Sequence, residues 1–497
     1  NLYTVILVLT SFSVFLTLRL WYLLGPFSWP FIGNQSLLKR MSDKLGAQHL
    51  ALNELSRRYG SNLITLHLGI NKVVVVSGNK PVMTVLMSEE YDGRPWNEFI
   101  KMRNLGQKNG ITMNEGSEWK EVRNWTMQAL KSFGFGKVGM LDMIKDELNK
   151  VLDTLKDGGV KMLKPIITPA VINVLWTIAA GKRFDETAKL EYFVDLLDRR
   201  ARVFDMFGGI LSTFPWIRYI APEASGYNLL QTLNVELRDF LMKTIDEHKR
   251  KYVVGSEADL IDMFITEMNK DKHNDQLVMI LIDLFIAGVT TTATTLDFLF
   301  MNMVVHQDVQ QKLQKEIDSV VPSSRLPDLG DKMKLPYAEA VITESQRLWP
   351  VLPVIGPRRV LRDTYLDDYS LPKDSTILLN LYSIHTDPDI FPDPLKFQPE
   401  RFINNGVFFG HNAEVLTFGK GRRRCPGNIL AKSALFLLFV GVMKKYSLLP
   451  VPSKGPWTVE TIPGLIMSPK PYDVLIVPRG KRNASSRFLD KRYLMCV

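Results

Sequence analysis

Residues 276–306, QLVMILIDLFIAGVTTTATTLDFLFMNMVVH, form an unbroken apolar run without proline or lysine or arginine. As a helix at about 1.5 Å per residue it would be roughly 45 Å long, longer than a small domain is wide. Its middle, between Thr290 and Thr295, is too polar to sit in lipid, so the run must cross a protein core. Gly288 lies near that middle, where glycine is roughly 1 kcal/mol less favourable than alanine. A glycine so placed suggests a groove where small molecules approach the backbone. The fold has to gather its other elements around this one helix.

A core of that size suits the chain, which has 497 residues, 46% of them hydrophobic and 23% charged. There is no Gly/Ser linker, repeat or low-complexity block, so one large domain is expected behind an N-terminal appendage. The divisions are 1–24 as a membrane anchor, 25–34 as a proline/glycine hinge, 35–480 as the catalytic domain and 481–497 as a basic tail. Residues 2–18 carry no charge and would span roughly 26 Å as a helix, just enough for a bilayer core. Arg19, Trp21 and Tyr22 supply the cation and aromatic belt of an interface. A cleaved signal peptide is the competing explanation, but the run has no basic region before it and no small-x-small cleavage site before Gly25. The surplus of Lys and Arg downstream puts the bulk of the chain on the cytoplasmic side.

The net charge of +10 and pI near 9.3 raise nucleic acid as a partner, yet no zinc finger, ribonucleoprotein signature or aromatic-basic stacking pattern supports it. No nucleic-acid partner is expected; an anionic membrane surface and an acidic protein explain the charge better. Seven histidines without ligand spacing argue against a zinc site. The two cysteines, Cys425 and Cys496, rule out a disulfide framework, and the tail cysteine is expected to be free. Residues 63–68 and 73–77 read as a hairpin, 80–350 as mostly helical, and 351–381 and 474–477 as late strands. The class is mainly α with small β-sheets.

One of those cysteines sits in Phe418-Gly419-Lys420-Gly421-Arg422-Arg423-Arg424-Cys425-Pro426-Gly427, followed by a helix-forming run over 429–442. The glycines let backbone pass where side chains would collide, and the arginines favour a thiolate. Such a loop could present an axial sulfur to an iron porphyrin, and thiolate-ligated haem favours O–O cleavage. Glu344 and Arg347, three apart, share a helix face, with Pro336 in the first turn and Pro350 at its end. Trp119 and Arg123, four apart, share another.

The loop resembles the cysteine-ligand loop of the cytochrome P450 family, Phe-x-x-Gly-x-Arg-x-Cys-x-Gly, with Phe418, Gly421, Arg423, Cys425 and Gly427 in place. The resemblance implies haem b (iron protoporphyrin IX) with Cys425 as the iron ligand. It implies propionate contacts from Arg94, Trp119, Arg123, Arg358 and Arg423, and a buried cluster of Glu344, Arg347 and the Arg401 of Pro399-Glu400-Arg401-Phe402. In Ala287-Gly288-Val289-Thr290-Thr291-Thr292 it makes Thr291 the alcohol that helps deliver protons to dioxygen, with Gly288 beside it. The family pattern has an acid where this chain has Thr290, and a hydroxyl can relay a proton but cannot titrate near neutral pH. Packing or bonding back to the helix is the plainer role for these threonines.

The resemblance spans essentially the whole chain and is nearest in texture to insect members close to vertebrate steroid and drug hydroxylases, including methyl farnesoate epoxidases. It implies a haem-thiolate monooxygenase on the cytoplasmic face of the endoplasmic reticulum, a monomer held by a single-pass anchor. Electrons would come from NADPH through NADPH-cytochrome P450 reductase, docked at Lys420, Arg422 and Arg424. Pocket walls near 111–114, 283–287, 352–355 and 465–467, mostly apolar, imply a small lipophilic substrate. Residues 204–220, with Phe207, Phe214, Trp216 and Ile217, form a flap that either dips into lipid or packs in the core. Two alternatives stay open: a family member catalysing aldoxime formation, dehydration or isomerisation, motivated by Thr290, and a haem sensor or carrier without turnover.

Overall fold

The computed structural model describes residues 3, 25–69, 71–184, 186–203, 209–253, 255–268, 274–410, 414–452 and 454–480. The expected anchor, the basic tail with Cys496, and Phe207 therefore lie outside the described residues, Tyr3 apart.

The long apolar run is helical from end to end, but in three pieces: Asn274–Phe285, a π-helical turn at Ile286–Thr290, and Thr291–Val305. Nearly every residue of the last piece is buried, and the largest hydrophobic cluster collects around it. Among the described residues it is the one helix long and apolar enough to cross a membrane, and its burial makes it a core helix. The helices Lys164–Ala180 and Asn428–Lys445 pack against it, and Val138–Leu155 packs on both of these. Lys164–Ala180 and Asn428–Lys445 are apolar on all sides, as helices inside a large core must be.

A four-stranded sheet flanks this helical body in the order Leu63–Leu68, Asn71–Val76, Thr376–Asn380, Val354–Arg359. The first two strands form the expected hairpin, beginning its second strand two residues early, and the central pair runs parallel. Both faces of the sheet are covered. Val73 and Val75 join one cluster with the helices Gln35–Leu45 and Gln48–Tyr59, while Val74 and Val76 point into another with Asn79–Met87. This alternation is the period-2 geometry of a strand, and its double burial explains four valines in succession. A second sheet joins Tyr446–Pro450, Val474–Pro478 and Gly159–Lys161. The last strand, short and glycine-led, escapes sequence periodicity.

Residues 25–34 are tied to the sheet. Asn34 donates from Nδ2 to the carbonyls of Pro26 (3.2 Å) and Phe27 (2.9 Å), and its Oδ1 accepts from the His67 N–H at 2.7 Å. Gln35 reaches Thr213 at 2.5 Å, which brings the segment before Gln35 beside the described part of the expected flap. Phe27, Trp29, Phe31, Ile210, Trp216, Tyr219 and Ile220 are all exposed there.

Candidate functional site

The backbone of the cysteine loop is set by close approach. Gly421 has φ 73°, and a Cβ on it would lie 2.0 Å from the carbonyl oxygen of Leu86, so no side chain fits. The Cys425 N–H donates to the Phe418 carbonyl at 2.9 Å, closing the loop just before the helix Asn428–Lys445. Cys425 is a free, partly buried thiol.

Its surroundings differ from the expected arginine-stabilised thiolate. Burial pushes the thiol pKa up, with smaller downward pulls from the Gly427 N–H and from Arg123. The loop arginines are turned elsewhere. Arg422 pairs with Glu89 and with Asp92, and Arg423 stacks on Trp119, its guanidinium carbon 3.6 Å from the ring centre. Arg424 contributes its carbonyl, which accepts from Arg123 at 2.7 Å. A thiol so buried ionises when a metal cation takes the proton's place, rather than through its loop.

Three cations converge around Arg423 of the loop. Arg358 donates to Asp92 Oδ1 at 2.9 Å, Arg423 to the carbonyls of Asp92 and Asn114 at 3.0 Å each, and Arg94 to the Pro357 carbonyl at 2.6 Å. The Nε of Arg94 is buried with no partner, and so is the Nδ2 of Asn114. Burial, with Arg358 and Arg423 nearby, drives the Arg94 guanidinium pKa well below its ordinary value. Buried cations that repel one another, with donors left over, fit a group bringing two carboxylates, such as the propionates of a haem that Cys425 would ligate. Arg123 and Trp119 complete this edge: Arg123 lies 5.6 Å from the Trp119 ring, on the helix Gly116–Ser132.

The expected oxygen side of the site is a π turn in the long helix. Ala287 is exposed and Gly288, Thr290 and Thr291 are partly so, in a helix otherwise buried. A Cβ on Gly288 would lie 2.9 Å from Leu175 Cδ2, so the glycine also allows close helix packing next to the exposed Ala287. Thr291 donates from Oγ1 to the Ala287 carbonyl at 2.5 Å, which leaves its oxygen free to accept. The Thr290 hydroxyl makes no hydrogen bond among the described residues. Asp283, one turn earlier, accepts from the N–H groups of Ile111 and Thr112 at 2.8 Å each. It thereby pins the expected 111–114 pocket wall to the long helix.

The charged cluster lies behind the loop. Glu344 and Arg347, on the helix Pro336–Leu348, are fully buried and pair through two bonds of 2.7 and 2.8 Å. Arg401 reaches the same carboxylate at 3.1 Å. Arg347 also donates to the carbonyls of His385 (2.6 Å) and Pro394 (2.8 Å), tying 385–401 to that helix.

Sequence reasoning missed Asp92, Glu115 and Asp283, the acids that hold these parts together. Glu115 accepts from Arg359, Lys108 and the Arg94 N–H, and these outweigh burial to take its pKa down to about 2. Asp92 stood two residues before Arg94, and that adjacency was the only available signal.

Comparison with known proteins agrees with this geometry. The family profile described as "Cytochrome P450" matches residues 24–476. A protein from Drosophila melanogaster named "Probable cytochrome P450 305a1" is 36% identical over 474 residues, covering 92% of this chain and 94% of its own. "Farnesoate epoxidase" of Bombyx mori is 34% identical over 463 residues, 92% and 93% of the two chains. "Cytochrome P450 2J2" of Homo sapiens is 31% identical over 469 residues, 92% and 91% of the two. With a profile match across nearly the whole length and relatives at this identity, the chain belongs to the cytochrome P450 family and is a monooxygenase, an oxidoreductase.

Proposed function

We propose that this enzyme inserts one oxygen atom from O₂ into a small lipophilic substrate, by hydroxylation or epoxidation, using electrons from NADPH delivered by a separate reductase. The observation that carries the haem site is the buried trio Arg94, Arg358 and Arg423, with the Arg94 Nε lacking a partner and Arg423 two residues before the free Cys425 thiol. Arg94, Arg358 and Arg423, with Trp119 and Arg123, would hold the propionates, and Cys425 would hold the iron. Bound there, haem supplies reductive activation of O₂. The protein's share is to position, to exclude water and to move protons. Thr291 Oγ1, bonded to the Ala287 carbonyl, offers its oxygen as an acceptor and passes a proton onward.

Ile111 and Met113, both buried beneath Asp283, and Val351 and Met467, packed with Phe298, supply an apolar wall suited to a lipophilic substrate. Epoxidation of a terpenoid ester or acid fits such a wall, and the Bombyx mori relative bears the name farnesoate epoxidase. The exposed Phe27, Trp29, Phe31, Trp216, Tyr219 and Ile220 form an apolar patch of the kind that rests on lipid, which supports an endoplasmic reticulum location with an anchor in 1–24. Lys420 and Arg424 are exposed on the cysteine-loop side and favour an acidic flavin domain; Arg422 is already paired.

Reduced protein exposed to carbon monoxide should show the far-red Soret band of a thiolate ligand, lost in Cys425→Ala and kept in Cys496→Ala. Reconstituted with reductase, it should consume NADPH and O₂ with product. Product formed without either would instead favour dehydration or isomerisation, the reading that Thr290 in place of an acid motivates.

A further inference from the structure

The threonines of the long helix divide into two groups. Thr291 and Thr295 donate to carbonyls four residues back, at 2.5 and 2.9 Å, as buried helical threonines commonly do. Thr294 does not: it is fully buried and its Oγ1 has no partner. One turn further along, Asp297 is 4% exposed, and its Oδ1 is also buried without a partner. Thr290 has helical dihedrals and the helix is regular from Thr291 onward. Thr290, Thr294 and Asp297 are therefore spaced i, i+4, i+7 along one face. The stripe starts at the partly exposed Thr290 and runs into the core.

An unpaired hydroxyl and carboxyl in such a core cost about 1–3 kcal/mol each, and apolar residues at 294 and 297 would avoid that cost. Two successive orphans in line with Thr290 point to a use.

We propose that Asp297 is the proton-holding group of the distal side, passing its proton through Thr294 to Thr290 and so filling the role of the acid that position 290 lacks. The rise from Thr290 to Thr294 is roughly 6 Å, a step one bridging water spans, and from Thr294 to Asp297 roughly 4.5 Å. The Asp297 O–H gives its proton through one bridging water to Thr294, whose own proton moves on through a second water to the Thr290 hydroxyl; the carboxylate then regains a proton from solvent. No electron changes hands. Asp297 acts through the threonines and is a positioning residue.

The groups facing Asp297 suit a carboxyl that changes state near neutral pH. Burial pushes it up to about 6, against smaller downward pulls from Lys164, in the first turn of Lys164–Ala180, and from Tyr472. The Tyr472 hydroxyl donates to the Asp297 carbonyl at 3.0 Å, and burial keeps that phenol protonated. An Asp at position 290 itself would sit partly exposed, whereas this one is held out of water.

The destination of the proton rests on the monooxygenase function, but the relay has a readout free of turnover. Infrared difference spectra of the haem-loaded protein, taken across a pH titration, should show a buried protonated-carboxyl band that disappears as pH rises through about 6. Asp297→Asn should delete it, and Thr294→Val should move its frequency. With reductase and NADPH, product per NADPH should fall about tenfold in both variants, with Asp297→Glu and Thr294→Ser recovering most of it. If Asp297→Asn does not fold, the Thr294→Val and Thr294→Ser pair carries the test. A band that ignores Thr294→Val, or product per NADPH unchanged in the variants, overturns the relay. A wild type that makes no product from any lipophilic substrate sinks the functional reading instead, and the band still judges the relay.

Discussion

Glu344 accepts four hydrogen bonds in a site with no solvent: Arg347 Nε at 2.7 Å and Nη2 at 2.8 Å, the Gln398 N–H at 2.9 Å and Arg401 Nε at 3.1 Å. Glu344→Gln keeps the shape but removes the charge, and turns an amide N–H₂ toward one of the guanidinium donors. Arg347, 0% exposed, would then be an unpaired buried cation. Breaking a buried pair from one side costs about 3–5 kcal/mol. Arg347→Met should cost at least as much, because it also strands the His385, Pro394 and Lys396 carbonyls. The double variant should fall short of the sum by up to about 3 kcal/mol, the coupling expected of residues in direct contact. Urea unfolding followed by tryptophan fluorescence gives the comparison, provided the slope with denaturant is unchanged. A Glu344→Gln midpoint within about 0.5 kcal/mol of wild type would refute the account, showing that the meander from 385 to 401 does not depend on this carboxylate.

Gly441 lies where a Cβ would be 2.4 Å from Leu148 Cδ2, so Gly441→Ala should destabilise by about 1–3 kcal/mol by urea midpoint, with Leu148→Val in the same chain restoring part of the loss. Thr290→Glu in an Asp297→Asn background should raise product per NADPH and reduce peroxide release relative to Asp297→Asn alone; no change there would assign Thr290 to packing. For His248, burial pulls the pKa down, but the Asp259 bond at 3.0 Å and the Thr244 carbonyl pull it up further, to about 8. Because its folded pKa is the higher one, the pair's stabilisation is complete below about pH 6.5 and lost as pH rises through 8. His248→Gln should flatten that slope in urea midpoints measured from pH 6 to 9.

Much of this architecture follows from local rules that a sequence carries openly. The long helix was required by an apolar run without breakers, and the hairpin at 63–76 by two apolar runs around a glycine turn. Glu344 and Arg347 were recognisable because their spacing places them on one helix face, whereas Cys425 and Arg401 were recognisable through the family motifs that they resemble. Asp92, Glu115 and Asp283 were not, since each is a lone acid in sequence and finds its partners across 7 to more than 300 positions. The π turn at Ile286–Thr290 was equally hidden, because its residues suit an α-helix just as well and only packing selects the wider turn.

The sequence by itself determined the long helix, the hairpin at 63–76, the glycine- and arginine-rich cysteine loop and the absence of an acid at position 290. Tertiary structure alone decided the electrostatics. It turned the loop arginines away from the sulfur, brought Arg94, Arg358 and Arg423 into mutual repulsion, and buried Asp297 on the stripe that begins at Thr290. Charge and proton affinity depend on burial and on partners distant in the chain, and neither is written in any local window of residues.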